Sequence, residues 1–241
     1  MQKDLNFEII VRSILFNIFF FFWVFGYSLI TLPISALSQK IAQKVGYIWS
    51  VVILKALKII CKLDIEISGQ EHLPKKAAII AAKHESAWDT IFFLSLLKNP
   101  VYVLKKELIF IPFFGLHLIL MKMIYIDRSK GKTAISKMQE QVNQVLNSNR
   151  SVVIFPQGTR TKPGEQIPYK SGIYALAAAQ QSAIHPVALN SGSFWPKKSF
   201  FKYPGTIKVA ISPAIPFNKN KKTLMGQLET QLEKSYGELK N

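Results

Sequence analysis

Short apolar runs and longer amphipathic runs alternate along the chain from residue 64 onward. Asp64–Ser68, Ala77–Ala82, Val101–Leu104, Met123–Ile126, Val152–Phe155, Ala183–Leu189 and Thr206–Ser212 have the length and β-branched content of strands. Ala87–Leu97, Lys132–Leu146, Gly172–Ala179 and Lys222–Leu239 carry helical spacing. The alternation predicts an α/β fold, a mostly parallel central sheet covered by helices. Strands that are apolar throughout are buried on both faces. In such sheets ligands collect outside the strand ends.

The first 63 residues have a different pattern. Ser13 to Gln39 contains no charged side chain, and its centre is long enough to cross about 30 Å of hydrocarbon. Asp4 and Glu8 disfavour a signal peptide, so the segment is expected to be an uncleaved anchor, ended or kinked at Pro33. From Gln39 to Lys62, Lys40, Lys44, Lys55, Lys58 and Lys62 fall within an arc of roughly 60° on a helix. Apolar residues fill much of the rest. The pattern predicts a helix in the membrane interface, lysines toward phosphates and apolar faces in the acyl layer. The expected division is 1–63 for membrane-anchoring helices and 64–241 for a catalytic domain. Lysines following the anchor favour a cytoplasmic catalytic part.

Composition narrows the partners. The 241 residues carry a formal charge of +17, which favours an anionic partner, either nucleic acid or an anionic membrane surface. A hydrophobic content of 49% and 17 phenylalanines tip the balance to membrane. Nucleic-acid binding rests on charge alone. Cys61 is the sole cysteine, so no intrachain disulfide forms, and it reads as a small buried apolar residue. No zinc spacing and no glycine-rich nucleotide loop is present, so neither a metal nor a cofactor is implied.

Candidate chemistry lies where strands end. His84 follows the run Ala77–Ala82, and Asp89 follows five residues later, in His84-Glu85-Ser86-Ala87-Trp88-Asp89. An imidazole there can take a proton near neutral pH, and a carboxylate on its other nitrogen orients it. This is the His–Asp half of a hydrolase triad, without a Gly-x-Ser-x-Gly elbow to supply a nucleophile. The simplest completion is a hydroxyl brought by the substrate. Ser86 and Asp89 equally fit a capping box before Ile91-Phe92-Phe93-Leu94, and a helix start there folds Asp89 back toward His84. A second strand end, Phe155-Pro156-Gln157-Gly158-Thr159-Arg160, offers a turn at Gly158 and a guanidinium suited to phosphate.

Together these segments resemble the 1-acyl-glycerol-3-phosphate acyltransferases. His84 and Asp89 match the H-x4-D motif of that family. Lys105–Gly115 with Ile126-Asp127-Arg128 resembles a second block, Phe155–Arg160 a third, and His185-Pro186-Val187-Ala188-Leu189-Asn190-Ser191-Gly192 a fourth. The third block departs from the usual Pro-Glu-Gly-Thr-Arg by carrying Gln157, which keeps an acceptor oxygen and loses the charge.

The resemblance implies transfer of an acyl group from a thioester, acyl-CoA or acyl-carrier protein, to the sn-2 hydroxyl of lysophosphatidic acid. His84 and Asp89 would be catalytic. Lys105 and Arg160 would hold the acceptor phosphate, and Gln157, Gly158 and Thr159 would position the substrate. A site on the cytoplasmic face of the cell membrane follows. The alternatives are another lysolipid or glycerol 3-phosphate as acceptor, or a lipid-binding protein without catalysis. His72 reads as solvated, His117 as packed or lining an acyl groove, and His185 as structural. Phe194, Trp195, Phe200, Phe201 and Tyr203, interleaved with Lys197, Lys198 and Lys202, are expected either to rim a membrane surface or to cover the core. The tail from Lys219 reads as a solvated amphipathic helix.

Overall fold

The computed structural model describes residues 5–127 and 131–239. Its seven strands form one sheet: β1 (Leu63–Ser68), β2 (Ile79–Ala82), β3 (Val101–Lys105), β4 (Ile124–Ile126), β5 (Val152–Ile154), β6 (Ile184–Leu189) and β7 (Gly205–Ile211). Across the sheet the order is β1-β7-β6-β2-β5-β3-β4. The block β6-β2-β5-β3-β4 is parallel throughout. β7 runs antiparallel to β6 and carries β1 parallel to itself. The sheet is therefore mostly parallel, as the alternation of patterns predicts. Its central strand β2 is buried at every position, which explains the unbroken apolar run.

Helices cover the sheet: α4 (Trp88–Leu96), α5 (Phe114–Leu120), α6 (Gly131–Asn147), α7 (Gly172–Gln180) and α8 (Lys221–Glu238). The last buries Leu224, Leu228 and Leu232, one residue per turn, and packs on β6. Its buried face also carries polar groups, so it is more than the solvated amphipathic helix expected from its lysines.

The first helix begins at Asn6, whose side chain accepts the Ile9 N–H at 2.9 Å. It runs as α1 (Phe7–Phe22), a π-helical turn (Trp23–Tyr27) and α2 (Ser28–Ala36). Pro33 does not end it; the helix continues to Ala36, and Ser38 caps the next helix, α3 (Gln39–Cys61). Phe7–Ala36 is long and apolar enough to cross a membrane. Along its outer side Phe7, Leu15, Phe22, Ile30 and Leu37 are exposed.

The five lysines of the 39–62 stretch are all exposed, as the arc requires. The opposite face departs from the expectation. Ala42, Trp49, Ile53, Leu57 and Cys61 are buried in the protein core rather than offered to lipid. α3 packs on α1, α2, α4, α5 and β1, because a stripe this wide finds the sheet before it finds a membrane. One core thus runs from Phe16 in α1 through α3 into the sheet.

Candidate active site

Four of the parallel strands deliver described loops to one edge of the sheet. β2 leads to His84, β3 to Lys105, β5 to the turn before Arg160, and β6 to Ser191. Arg128, after β4, lies outside the described residues.

The His84 loop is built by the side chain it contains. Asp89 stands in the first turn of α4, where a carboxylate suits the helix dipole. Its Oδ2 accepts the Glu85 N–H at 2.8 Å, the Ser86 N–H at 2.9 Å, and pairs with His84 Nδ1 at 2.8 Å. Ser86 Oγ in turn accepts the Trp88 N–H at 3.2 Å. The two readings of this segment are one structure: the cap folds the loop so that the carboxylate meets the imidazole. Asp89 Oδ2 already accepts two backbone N–H groups and so acts as a carboxylate, which makes His84 Nδ1 the donor and leaves the lone pair on Nε2. The ring stacks on Phe155 with centroids 4.0 Å apart, fixing its plane.

Asp89 has a partner that the sequence reading did not assign. Its Oδ1 accepts from Ser191 Oγ at 2.5 Å, across 102 residues of chain. Next to Ser191, the Gly192 N–H donates to Glu85 Oε2 at 3.0 Å. Glu85 is buried, and burial pushes its carboxyl up to about 7 against the opposing pull of the Tyr236 hydroxyl and the Gly192 N–H. Lys83, also buried, reaches Glu233 of α8 at 2.6 Å and lies 4.1 Å from the centre of the Tyr236 ring. Glu233 further accepts from Tyr169 at 2.8 Å. A signal for Ser191 was present: it follows a strand of the same parallel block as His84.

Gln157 stands elsewhere than expected. Its Oε1 accepts the His84 backbone N–H at 2.7 Å and its Nε2 donates to Thr161 Oγ1 at 3.2 Å. Thr161 closes the loop by donating its N–H to the His84 carbonyl at 2.8 Å. The amide is buried with both ends used inside the protein, so it braces the His84 backbone. Gly158 turns the chain with φ 71°, a conformation that costs glycine little. Thr159 is exposed.

His84 and Arg160 line one cavity of about 260 Å³. Its remaining wall is mostly apolar and is drawn from the N-terminal helices (Tyr27, Val45, Trp49), α4 (Leu94) and the α5 region (Leu108, Phe114, Met121). His117 belongs to that wall and is also packed in the protein, pairing through Nε2 with the Ser28 carbonyl at 2.9 Å. Among the described residues no carboxylate pairs with the Arg160 guanidinium. Lys105 ends β3 exposed to solvent, next to the lining residue Leu104 but outside the lining itself. The described residues hold no group of His, Cys, Asp and Glu arranged to bind a metal.

The remaining aromatic segment divides between its two expectations. Trp195 is buried against Phe16 and Phe20 of α1, whereas Phe200 is half exposed. His185 lies in the sheet opposite Ile80, and burial lowers its pKa. Cys61 is buried and its thiol is pushed up to about 11.

A histidine paired with a buried carboxylate and an arginine thus line one largely apolar cavity, the arrangement of a candidate active site. Residues 64–190 match the Acyltransferase family model, and the chain belongs to that family. It is 39% identical over 158 residues to the 1-acyl-sn-glycerol-3-phosphate acyltransferase of Pseudomonas aeruginosa, a match covering 66% of this chain and 62% of that one. It is 28% identical over 197 residues to the mouse 1-acyl-sn-glycerol-3-phosphate acyltransferase alpha, covering 80% and 68%. In fold it is similar to the crystal structure of the 1-acyl-sn-glycerophosphate (LPA) acyltransferase of Thermotoga maritima, with a TM-score of 0.80 at 18% identity, covering 96% of each chain.

Proposed function

We propose that this chain transfers an acyl group from a thioester to the sn-2 hydroxyl of 1-acyl-sn-glycerol 3-phosphate, yielding phosphatidic acid. The observation that carries the reading is the shared cavity. His84, held by Asp89 at 2.8 Å, and Arg160 open on the same apolar space. The names of the relatives in Pseudomonas aeruginosa and mouse support the acceptor.

In this mechanism His84 Nε2 takes the hydroxyl proton as the oxygen attacks the thioester carbonyl. Asp89 holds the tautomer and stabilises the imidazolium. The tetrahedral intermediate collapses, the carbon–sulfur bond breaks, and the thiolate leaves and takes up a proton. No acyl-enzyme forms, because the substrate supplies the nucleophile. Arg160 binds the acceptor phosphate, with Lys105 on the rim adding charge. Gly158 and Thr159 shape the turn that presents Arg160. Gln157 acts on the His84 loop. Acyl-CoA and acyl-carrier protein are both suitable donors.

The N-terminal helices serve as the membrane anchor of the 64–241 catalytic region, on the cytoplasmic side of the cell membrane. We read the anchor as lying in one leaflet. The Arg12 guanidinium reaches the Ile60 carbonyl at 2.6 Å near one end of the helix, and Ser28 pairs with His117 further along. A helix tied to the domain at both places lies along it and offers only its exposed apolar side to lipid.

The test is thiol release from acyl-CoA or acyl-carrier protein on adding lysophosphatidate. His84→Ala is expected to reduce kcat by roughly 10³-fold or more. Arg160→Ala is expected chiefly to raise the KM for lysophosphatidate. Retained turnover in the first variant would remove the mechanism, and an unchanged KM in the second would remove phosphate recognition by Arg160.

A further inference from the structure

We infer that Ser191 is a positioning residue for the His84–Asp89 pair, and that Glu85 sets it in place through the Gly192 N–H. The inference rests on His84 being the base.

The lone pairs of Asp89 make the case. Its Oδ2 is shared by His84 Nδ1 and the N–H groups of Glu85 and Ser86, all from its own loop. A carboxylate held by one oxygen can still rotate about its Cβ–Cγ bond. Among the described residues only Ser191 Oγ, at 2.5 Å, holds Oδ1, and it comes from the far end of β6. With both oxygens fixed, the carboxylate plane and therefore the imidazole plane are fixed.

The placement of Ser191 is itself enforced. Gly192 hangs on Glu85 Oε2 at 3.0 Å. A Cβ at Gly192 would come within 2.8 Å of both Glu85 Cβ and Glu85 Oε2, so the approach has no room for any other residue. Glu85 and Asp89 therefore grip the β6 loop at two consecutive residues, Ser191 and Gly192. Tyr236 and the Lys83–Glu233 pair close the arrangement from α8, and Tyr102 lies on the Asp89 side. Ser191 is no nucleophile. It is fully buried, its proton is committed to Asp89, and it does not line the cavity.

Loss of the hydroxyl leaves charge on Oδ1 uncompensated, so Asp89 holds the imidazolium proton more strongly. In Ser191→Ala, kcat should fall roughly tenfold, the loss expected for one hydrogen bond to a charged group. The KM values should stay within about twofold. The acidic limb of the kcat/KM profile should move to higher pH. In an Asp89→Asn background Ser191→Ala should cost nothing further, because the two act as a unit. The His84 Nδ1–H proton resonance, assigned by its absence in His84→Ala, should move downfield in Ser191→Ala. That measurement needs no turnover, so it tests the inference even if the proposed reaction fails. An unmoved resonance and pH profile, or losses that multiply in the double variant, would overturn it.

Discussion

Two helices from opposite ends of the chain dock on the rest of the protein, each around a buried lysine. At the C-terminal end, α8 docks on Lys83, which is 1% exposed and meets the Glu233 carboxylate at 2.6 Å. At the N-terminal end, α1 docks on Lys202, which is 2% exposed and has no carboxylate partner among the described residues. Its Nζ donates to Asn17 Oδ1 at 2.5 Å and to the Phe200 carbonyl at 2.9 Å, beneath the rings of Phe16, Trp195 and Phe200. Burial lowers the Lys202 pKa to about 8. The first latch compensates charge and abuts the His84 loop. The second tolerates an incompletely compensated charge beside an apolar helix, where a carboxylate would itself be costly to desolvate.

The largest effect is expected at the compensated site. Lys83→Met leaves the Glu233 carboxylate with only the Tyr169 hydroxyl as a described side-chain partner. Glu233 remains a quarter exposed, so the loss should sit at the low end for a broken buried pair, about 3 kcal/mol. That corresponds to a fall of roughly 6–12 °C in Tm for a chain of this size. Activity should fall too, because Lys83 adjoins His84. Lys83→Met combined with Glu233→Leu should recover most of the stability, and thermal unfolding of the two variants reads the difference. If Lys83→Met is as mild as the corresponding change at Lys202, the distinction between the two latches fails.

A smaller effect is expected from making the N-terminal latch resemble the other. The Asn17 amide faces two ways: Oδ1 accepts from Lys202, and Nδ2 donates to the carbonyls of Ser13 at 2.7 Å and Phe200 at 3.0 Å. Asn17→Asp gives the ammonium a charge partner and turns a second acceptor on those two carbonyls. We expect a net loss of about 1–2 kcal/mol at pH 7, seen as a lower Tm in detergent. A gain in stability would mean that charge pairing, and not amide geometry, limits this site.

Much of this was legible in the sequence, for physical reasons that differ by region. Strand and helix positions were legible because β2 and β5 are continuous apolar runs and α6 and α8 are periodic. His84 and Asp89 were legible because their contact is local and made by one helix cap. Ser191 and Glu85 were obscure because their contacts cross more than 100 residues and depend on which strand neighbours which. The contact of Gln157 with the His84 backbone was obscure for a related reason. Its chemistry suits substrate, but its position beneath the His84 backbone is set by the neighbouring strands β2 and β5. The inner face of α3 was assigned to lipid because a stripe that covers a sheet and one that covers a membrane look alike in one dimension.

The mildest prediction separates the latches by pH. In the folded protein Lys202 titrates near 8, below the 10.5 of a free lysine. Between those values the unfolded chain holds the proton and the folded one has released it, so the Lys202 contribution to stability rises with pH across that window, opposed above about pH 9 by Cys61, whose thiol keeps its proton longer in the folded state. Below about 8 both states are protonated and the burial cost is borne in full. Lys202→Met removes the charge, places a thioether among the three rings and leaves the Asn17 oxygen without its cation. These effects oppose each other, so the change at pH 7 should stay within about 1 kcal/mol. The rise between about pH 8 and 9, below the onset of Cys61 ionisation, should disappear in the variant. Unfolding measured at closely spaced pH values on both proteins reads this directly. A rise that survives in Lys202→Met belongs to another group and would place the Lys202 ammonium in a far better solvated setting than its aromatic cage provides.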